Sequence, residues 1–298
     1  MHHKAGSHLA LLAVDVAILT VLASGCGGGL VVSQLTLTGT PDGWRPPGLN
    51  PVVLQGEIVE AGKRDGVFVI KRDTKDGWNM KVNLEHLPEA IAAASRIRET
   101  PQSGIDIKIQ RYLKSGDLDS MAVSIPITES EAASILDSKS KERLIASLIV
   151  KGVSMLETQI EFRKLDTTKL VRQLASKESW RRAAAIEELG LRKEKSSLPK
   201  VIQELKDPER GVSMKAVGAL VSMANPEAVP ALIEFSKGKD SSTQIQVIYA
   251  LSQIGGPVAE GYLFVVSTGH ANPNIAAAAA DALTELENRK VVESGSNN

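Results

Sequence analysis

One cysteine, ten aromatic residues and no net charge are the first features of this 298-residue chain. With Cys26 alone, no intramolecular disulfide can brace the fold. An aromatic content of 3% suits helices packed through alanine and leucine better than a β-sandwich core. Thirty-five basic residues balance 35 acidic ones, so no global field selects nucleic acid or an acidic surface. Five histidines occur: His2, His3, His8, His86 and His270. Two separated histidines beyond the N-terminal segment and no second cysteine cannot assemble a structural zinc site of the usual kind. No phosphate-binding glycine loop and no Gly-x-Ser-x-Gly elbow is present. No cofactor, metal or catalytic residue is therefore expected, and the chain does not read as an enzyme.

What is present is a repeat. Leu189, Leu220, Leu251 and Leu283 stand 31, 31 and 32 residues apart, and Ala185, Ala216, Val247 and Ala279 keep the same step. Leu170, Val201 and Leu232 follow it, as do Leu198 with Val229 and Pro199 with Pro230. Within one unit, Val212, Ala216, Ala219, Leu220 and Met223 recur at three- and four-residue steps, the period of one helical stripe. Asp207-Pro208, Asn225-Pro226, Gly255-Gly256-Pro257 and Asn272-Pro273 interrupt the stripes, because proline cannot continue a helix interior. A fixed period near thirty means units too small to bury their own apolar face, which stack and share an elongated core.

The register of Asp207-Pro208, Ala216, Ala219-Leu220, Val229-Pro230 and Leu232-Ile233 resembles the HEAT family, especially its short HEAT-like variety, over residues 165–290. That resemblance implies paired helices and a scaffold that binds protein. Some HEAT-like relatives are metal hydroxylases with His-Glu steps, and others attach bilins; no His-Glu pair occurs here. Two departures stand out. Glu188 occupies the position of Ala219, Ala250 and Ala282, which points to a first unit that caps the stack or packs differently. Tyr262-Leu263-Phe264-Val265-Val266 replaces a clean amphipathic stripe in the last unit.

The chain starts with a weakly basic head, then an apolar stretch from Leu9 to Ala23 broken by Asp15. Fifteen residues are too few to span a bilayer comfortably but suit the core of a signal peptide. Ala23-Ser24-Gly25-Cys26 resembles the lipobox of bacterial lipoproteins. The resemblance implies cleavage after residue 25 and lipidation of Cys26, with a membrane partner through that anchor. Gly27 after the cysteine implies the outer membrane or cell surface rather than the inner membrane. An ordinary cleaved signal, or an uncleaved anchor, remains open from the residues themselves. Residues 26–50 then read as a linker rich in glycine and proline, with a short strand at Val31–Thr38. Trp44 and Arg45 within it fit either a docking motif or a fold-back onto the next domain.

Between residues 51 and 127 the texture is β-rich. Val52–Val59, Val67–Ile70 and Asn79–Leu84 are expected as strands, Leu87–Arg98 as a helix, and Ile105–Ile109 with Met121–Ile125 as a hairpin. That order resembles an OB-fold barrel in topology. An OB face often binds nucleic acid or sugar, and Phe68, Trp78 and Tyr112 beside Lys71, Arg72, Lys81, Lys108 and Arg111 would be its stacking and basic residues. Nearby acids offset those charges, so structural use of the rings is the favoured reading and no nucleic acid is expected. Thr128-x-x-Glu131 is a capping box, followed by connecting helices to residue 164, the repeats from 165 to 290, and a disordered tail from 291.

The fold class expected is therefore α+β, with a small OB-like mainly-β domain followed by an all-α HEAT-like solenoid. In the HEAT-like family the second helix of each pair lines the binding face. Its outward positions here are Glu187, Lys215, Ser222, Gln246, Tyr249 and Gln253, a polar and nearly neutral set with one aromatic anchor. The basic cluster of Trp180, Arg181, Arg182, Arg192, Lys193, Lys195 and Lys200 fits an anionic partner or head group; interleaved Glu187, Glu188 and Glu194 favour a solvated face.

Overall fold

A computed structural model describes residues 29–38, 51–71, 74, 77–94 and 103–295. The stretch expected as a signal peptide, Cys26, Trp44, Arg45 and Arg72 lie outside the described residues. Among those described, no helix is long and apolar enough to cross a membrane. The chain divides into two compact units, after Glu157.

The first unit is built on a five-stranded mixed sheet. Its elements are β1 (Leu30–Thr38), α1 (Pro51–Arg64), β2 (Phe68–Ile70), β3 (Trp78–Asn83), α2 (Leu87–Ala94), β4 (Ser103–Tyr112), β5 (Leu118–Pro126), α3 (Glu129–Ala133) and the first part of α4 (Ser138–Phe162). The strand order is β2-β1-β3-β4-β5. β1 pairs in parallel with both β2 and β3, and the other pairings are antiparallel.

This corrects the OB-like expectation. A barrel of that kind closes on itself, whereas this sheet is open and carries two parallel pairs. The cause is one segment. Residues 52–59, expected as a strand, form the start of α1, which connects the parallel strands β1 and β2. A parallel pair needs such a crossover connection. Leu54, Ile58 and Ala61 are buried at steps of four and three, so the helical stripe was present beneath the β-branched valines. Val52 and Val53 are exposed, and burial of the other face overrode their strand preference. The segment read as a linker supplies β1, which lies inside the sheet between β2 and β3.

Alternation sets the faces of the antiparallel part. Met121, Val123 and Ile125 are buried while Ser120, Ala122 and Ser124 are exposed. The buried face is covered by α4 at Gly152, where an added Cβ would lie 2.4 Å from Ile125 Cδ1 and 2.6 Å from Ile107 Cδ1. The capping box forms as spelled: Glu131 N–H donates to Thr128 Oγ1, and Thr128 N–H donates to the Glu131 carboxylate.

The second unit is all helical. Four helix pairs follow: α5 (Thr167–Gln173) with α6 (Ser179–Leu191), α7 (Leu198–Gln203) with α8 (Arg210–Met223), α9 (Val229–Ser236) with α10 (Ser241–Ile254), and α11 (Pro257–Gly269) with α12 (Pro273–Gly295). The repeat register is the core register. Leu189, Leu220 and Leu251, with Ala185, Ala216, Val247 and Ala279, have no solvent exposure, and neither do Leu170, Val201 and Leu232. Pro199 and Pro230 sit in the first turns of α7 and α9, where a missing N–H costs nothing. α6 and α8 approach until an added Cβ at Gly190 would lie 2.7 Å from the Ala219 Cα. α12 continues to Gly295, past residue 291 where a disordered tail was expected.

Candidate functional site

The second helices carry the predicted contact residues. On α10, Gln246, Tyr249 and Gln253 are all exposed and stand three and four residues apart, so they share one stripe. Tyr249 is 39% exposed, and the residues one step away, Ile248 and Ala250, are buried. Thus α10 is held by its Ile248 and Leu251 face and presents its tyrosine outward. At the repeat positions equivalent to Tyr249, α6 has Glu187, α8 has Gly218 and α12 has Asp281. A Cβ added at Gly218 would meet nothing within 4 Å, so open space lies beside the glycine.

Two of the predicted residues engage each other. Lys215 Nζ lies 2.9 Å from Glu187 Oε2, bridging α8 and α6. Both side chains are well exposed, so the pair contributes little to stability, and neither charge stands alone. Ser222 is half-buried and its hydroxyl donates to the Gly218 carbonyl, which leaves it a weaker contact candidate. The structure therefore groups Gln246, Tyr249 and Gln253 on one stripe and places the Lys215–Glu187 pair on the preceding helices.

The basic cluster of the first repeat is different from its expected form. Arg182 Nε and Nη2 donate to Asp207 at 2.7 and 2.9 Å, and the two side chains are only 13% and 5% exposed. Arg192 donates to the carbonyls of Phe162, Arg163 and Leu165, and Glu188 fixes its Nε at 2.7 Å. This explains Glu188 in place of alanine: it positions Arg192 to satisfy orphan carbonyls at the end of α4. The Arg181 guanidinium lies 5.3 Å from the Phe162 ring centroid and 5.6 Å from that of Trp180. Only Lys193, Lys195 and Lys200 of that cluster remain as exposed cations.

A ladder of polar links between successive pairs went unread in the sequence. After Arg182–Asp207 comes Arg210, whose Nη2 donates to Thr243 Oγ1 at 2.9 Å and lies 3.6 Å from Asp240. Asn272 Nδ2 then donates to Ser241 Oγ at 3.2 Å. The signal was available: Asp207 and Asp240 each precede a second helix, and an arginine lies near the start of the helix before.

In the first unit, Phe68 and Trp78 are buried, and the Arg111 guanidinium lies 4.2 Å from the Trp78 ring centroid. Only Tyr112 of the three rings is exposed, so a base-stacking platform is not assembled there. An open cleft of about 480 Å³ is lined by Glu57, Arg64, Arg143 and the serines 134, 140 and 147. Those three hydroxyls donate to the carbonyls of Glu131, Asp137 and Leu144, and no activated nucleophile results. Among the described residues, no group of three or more His, Cys, Asp or Glu side chains could hold a metal ion.

No curated protein matches the chain. A family model for HEAT repeats does match, over residues 167–252, which spans the first three helix pairs up to the seam of α10.

Proposed function

We propose that this protein is an interaction scaffold held at a bacterial membrane by a lipid on Cys26, and that it captures a protein partner through the second-helix stripe centred on Tyr249. HEAT repeats commonly mediate protein interactions and are generally non-catalytic, which supports the coarse reading. The observation that carries the finer one is Tyr249. It is an exposed aromatic on α10, flanked on its stripe by two exposed glutamines, and the equivalent position on α8 is Gly218, with open space beside it. Tyrosine supplies large contact area at low entropic cost and is enriched at the energetic centres of interfaces. The neutral, polar surroundings suit a protein surface better than a phosphate backbone.

Tyr249→Ala should weaken partner capture by about 2 kcal/mol, roughly thirtyfold, with the melting temperature nearly unchanged. The check is a pull-down from membranes with wild-type and variant chains, beside thermal melts of both. Unchanged capture, or a large drop in melting temperature, removes Tyr249 from the interface.

The anchor rests on the small-residue run before a lone cysteine followed by Gly27. A single acyl chain binds membranes marginally, while two or three hold firmly. Cys26→Ser should therefore move the protein to the soluble fraction or leave the precursor uncleaved. Mass spectrometry finding a mature chain with an unmodified Cys26 thiol would rule out the anchor.

A further inference from the structure

The five strands of the first unit share one end. β1 begins there at Leu30, beside the first residue of β2, Phe68, and β3 begins there at Trp78. The antiparallel partners reach the same end. β4 finishes with Tyr112, two residues past the pairing of Gln110 with Asn79, and β5 starts at Leu118 opposite Tyr112. Residues 113–117 close the hairpin: the Leu113 N–H donates to the Asp117 carbonyl and the Gly116 N–H to the Leu113 carbonyl. Gly116 has a φ of 90°, a turn conformation that glycine adopts without strain.

This tip breaks the polarity of the hairpin behind it. Exposed positions along β4 and β5 are polar or small, such as Lys108, Ser120, Ala122 and Ser124. At the tip they become Tyr112, Leu113 and Leu118, which are 71, 42 and 51% exposed. Tyr112 and Leu118 are cross-strand partners, so they stand on one side of the hairpin. Behind them Arg111 is already engaged, over the Trp78 ring and 3.3 Å from Asp119. The tip's own charges are Lys114 and Asp117, and Asp117 accepts from the Ser115 hydroxyl at 2.7 Å. Other charges near this end of the sheet include Lys63, Arg64 paired with Asp65, and Glu157 beside the Leu30 backbone, again of both signs. Apolar area rather than charge is what the tip offers.

We infer that the hairpin tip enters the interfacial layer of the membrane to which Cys26 is tied, an inference that rests on the lipid anchor proposed above. The tether selects a bilayer as the occupant. Cys26 stands four residues before Leu30, a reach of roughly 14 Å at full extension. β4 and β5 lie two and three strand spacings from β1, about 10 and 14 Å. A lipid on Cys26 therefore keeps a bilayer surface within reach of the end of the sheet that carries the tip. The side chains suit that layer. Leucines enter the acyl boundary, and tyrosine sits where its ring is apolar and its hydroxyl wet. Lys114 reaches the head groups from a long apolar stem. One acyl chain holds a protein only marginally, so a second contact lengthens its stay. With one charge of each sign, the tip needs no anionic lipid.

The test places an indole at the tip, by Leu113→Trp and, as a second variant, Leu118→Trp. Each is made in the full mature chain as cells produce it and incorporated in phosphatidylcholine vesicles, and mass spectrometry reads the state of Cys26 in the same samples. Against the parent, which holds Trp44, Trp78 and Trp180, the added emission should shift to shorter wavelength and be quenched by brominated phosphatidylcholine. Ala122→Trp, about 14 Å back along β5, should be neither shifted nor quenched. Melting temperatures near the parent's show that the variants fold. A lipid-bearing Cys26 with both tip indoles unquenched overturns the inference and leaves the anchor standing, whatever protein then proves to cover the tip. A bare Cys26 overturns the anchor, and the inference with it. Equal quenching at the Ala122 position overturns the inference as well, because the membrane contact is then not the tip.

Discussion

Replacing Leu220 with aspartate should abolish cooperative melting of the helical repeats. Leu220 has no solvent exposure and lies on α8, which packs against α6 on one side and α10 on the other. An ionised carboxylate there has no partner, and its desolvation costs several kcal/mol. Whole domains are stable by only about 5–15 kcal/mol. The architecture enlarges the effect. Each pair is stabilised mainly by its neighbours, so loss of α8 removes support from the pairs before and after it. The milder Leu220→Ala should cost about 2–5 kcal/mol, by lost burial and the cavity left behind. Far-ultraviolet circular dichroism during heating reads both. A Leu220→Asp chain that melts at the wild-type temperature would show that the seam is not where the repeat register puts it.

Breaking the Arg182–Asp207 pair should be nearly as damaging. Removing one member of a buried ion pair leaves the other charge uncompensated, at about 3–5 kcal/mol. Arg182 keeps some contact with water, so Asp207→Asn or Arg182→Ala should fall near the lower end, about 3 kcal/mol. Asp207 has a further role, since it also accepts the Glu209 N–H at the start of α8. The pH dependence follows from the same contact. Hydrogen bonding from Arg182 holds the Asp207 carboxyl below the usual carboxylate range, against a smaller push upward from burial. The folded state therefore binds this proton less tightly than the unfolded state does. Its contribution is complete above the ordinary carboxylate value of about 4 and is lost as pH falls below it. Neighbouring Glu204 works in the opposite sense. Burial, then the charge of Asp207, pushes its carboxyl up, so its share fades as pH rises through that elevated value. Unfolding titrations of wild type and Asp207→Asn should converge at low pH and separate as pH rises through the carboxylate range. Parallel curves at all pH values would assign the loss to packing rather than to charge.

The candidate site was readable only in part, and the reason is geometric. Helical spacing alone separates the Leu251 side of α10 from the Gln246, Tyr249 and Gln253 side, so the stripe could be drawn before any coordinates. That Lys215 and Glu187 meet could not, because they are 28 residues apart and their distance depends on how two helices are stacked. For the same reason Arg182 and Arg192 looked like surface charge. A one-dimensional reading sees neighbouring lysines and glutamates, while Asp207 and the carbonyls of α4 approach from 25 to 30 residues away. Phe264 is the reverse case: its break in pattern was visible, but only the tertiary structure shows that its ring stands exposed.

The sequence by itself determined the second unit. Each helix there is a local stripe, each partner is the next unit in the chain, and a 31-residue register specifies nearly every buried position. Local periodicity and nearest-neighbour stacking are the same information. In the first unit the tertiary structure decided. Val52–Val59 has valines enough for a strand, and only the burial of Leu54, Ile58 and Ala61 makes it a helix. β1 owes its place to β2 and β3, which pair with it across gaps of about 38 to 46 residues. No local pattern encodes such pairings, because strand partners are chosen by long-range closure and by which face can be covered.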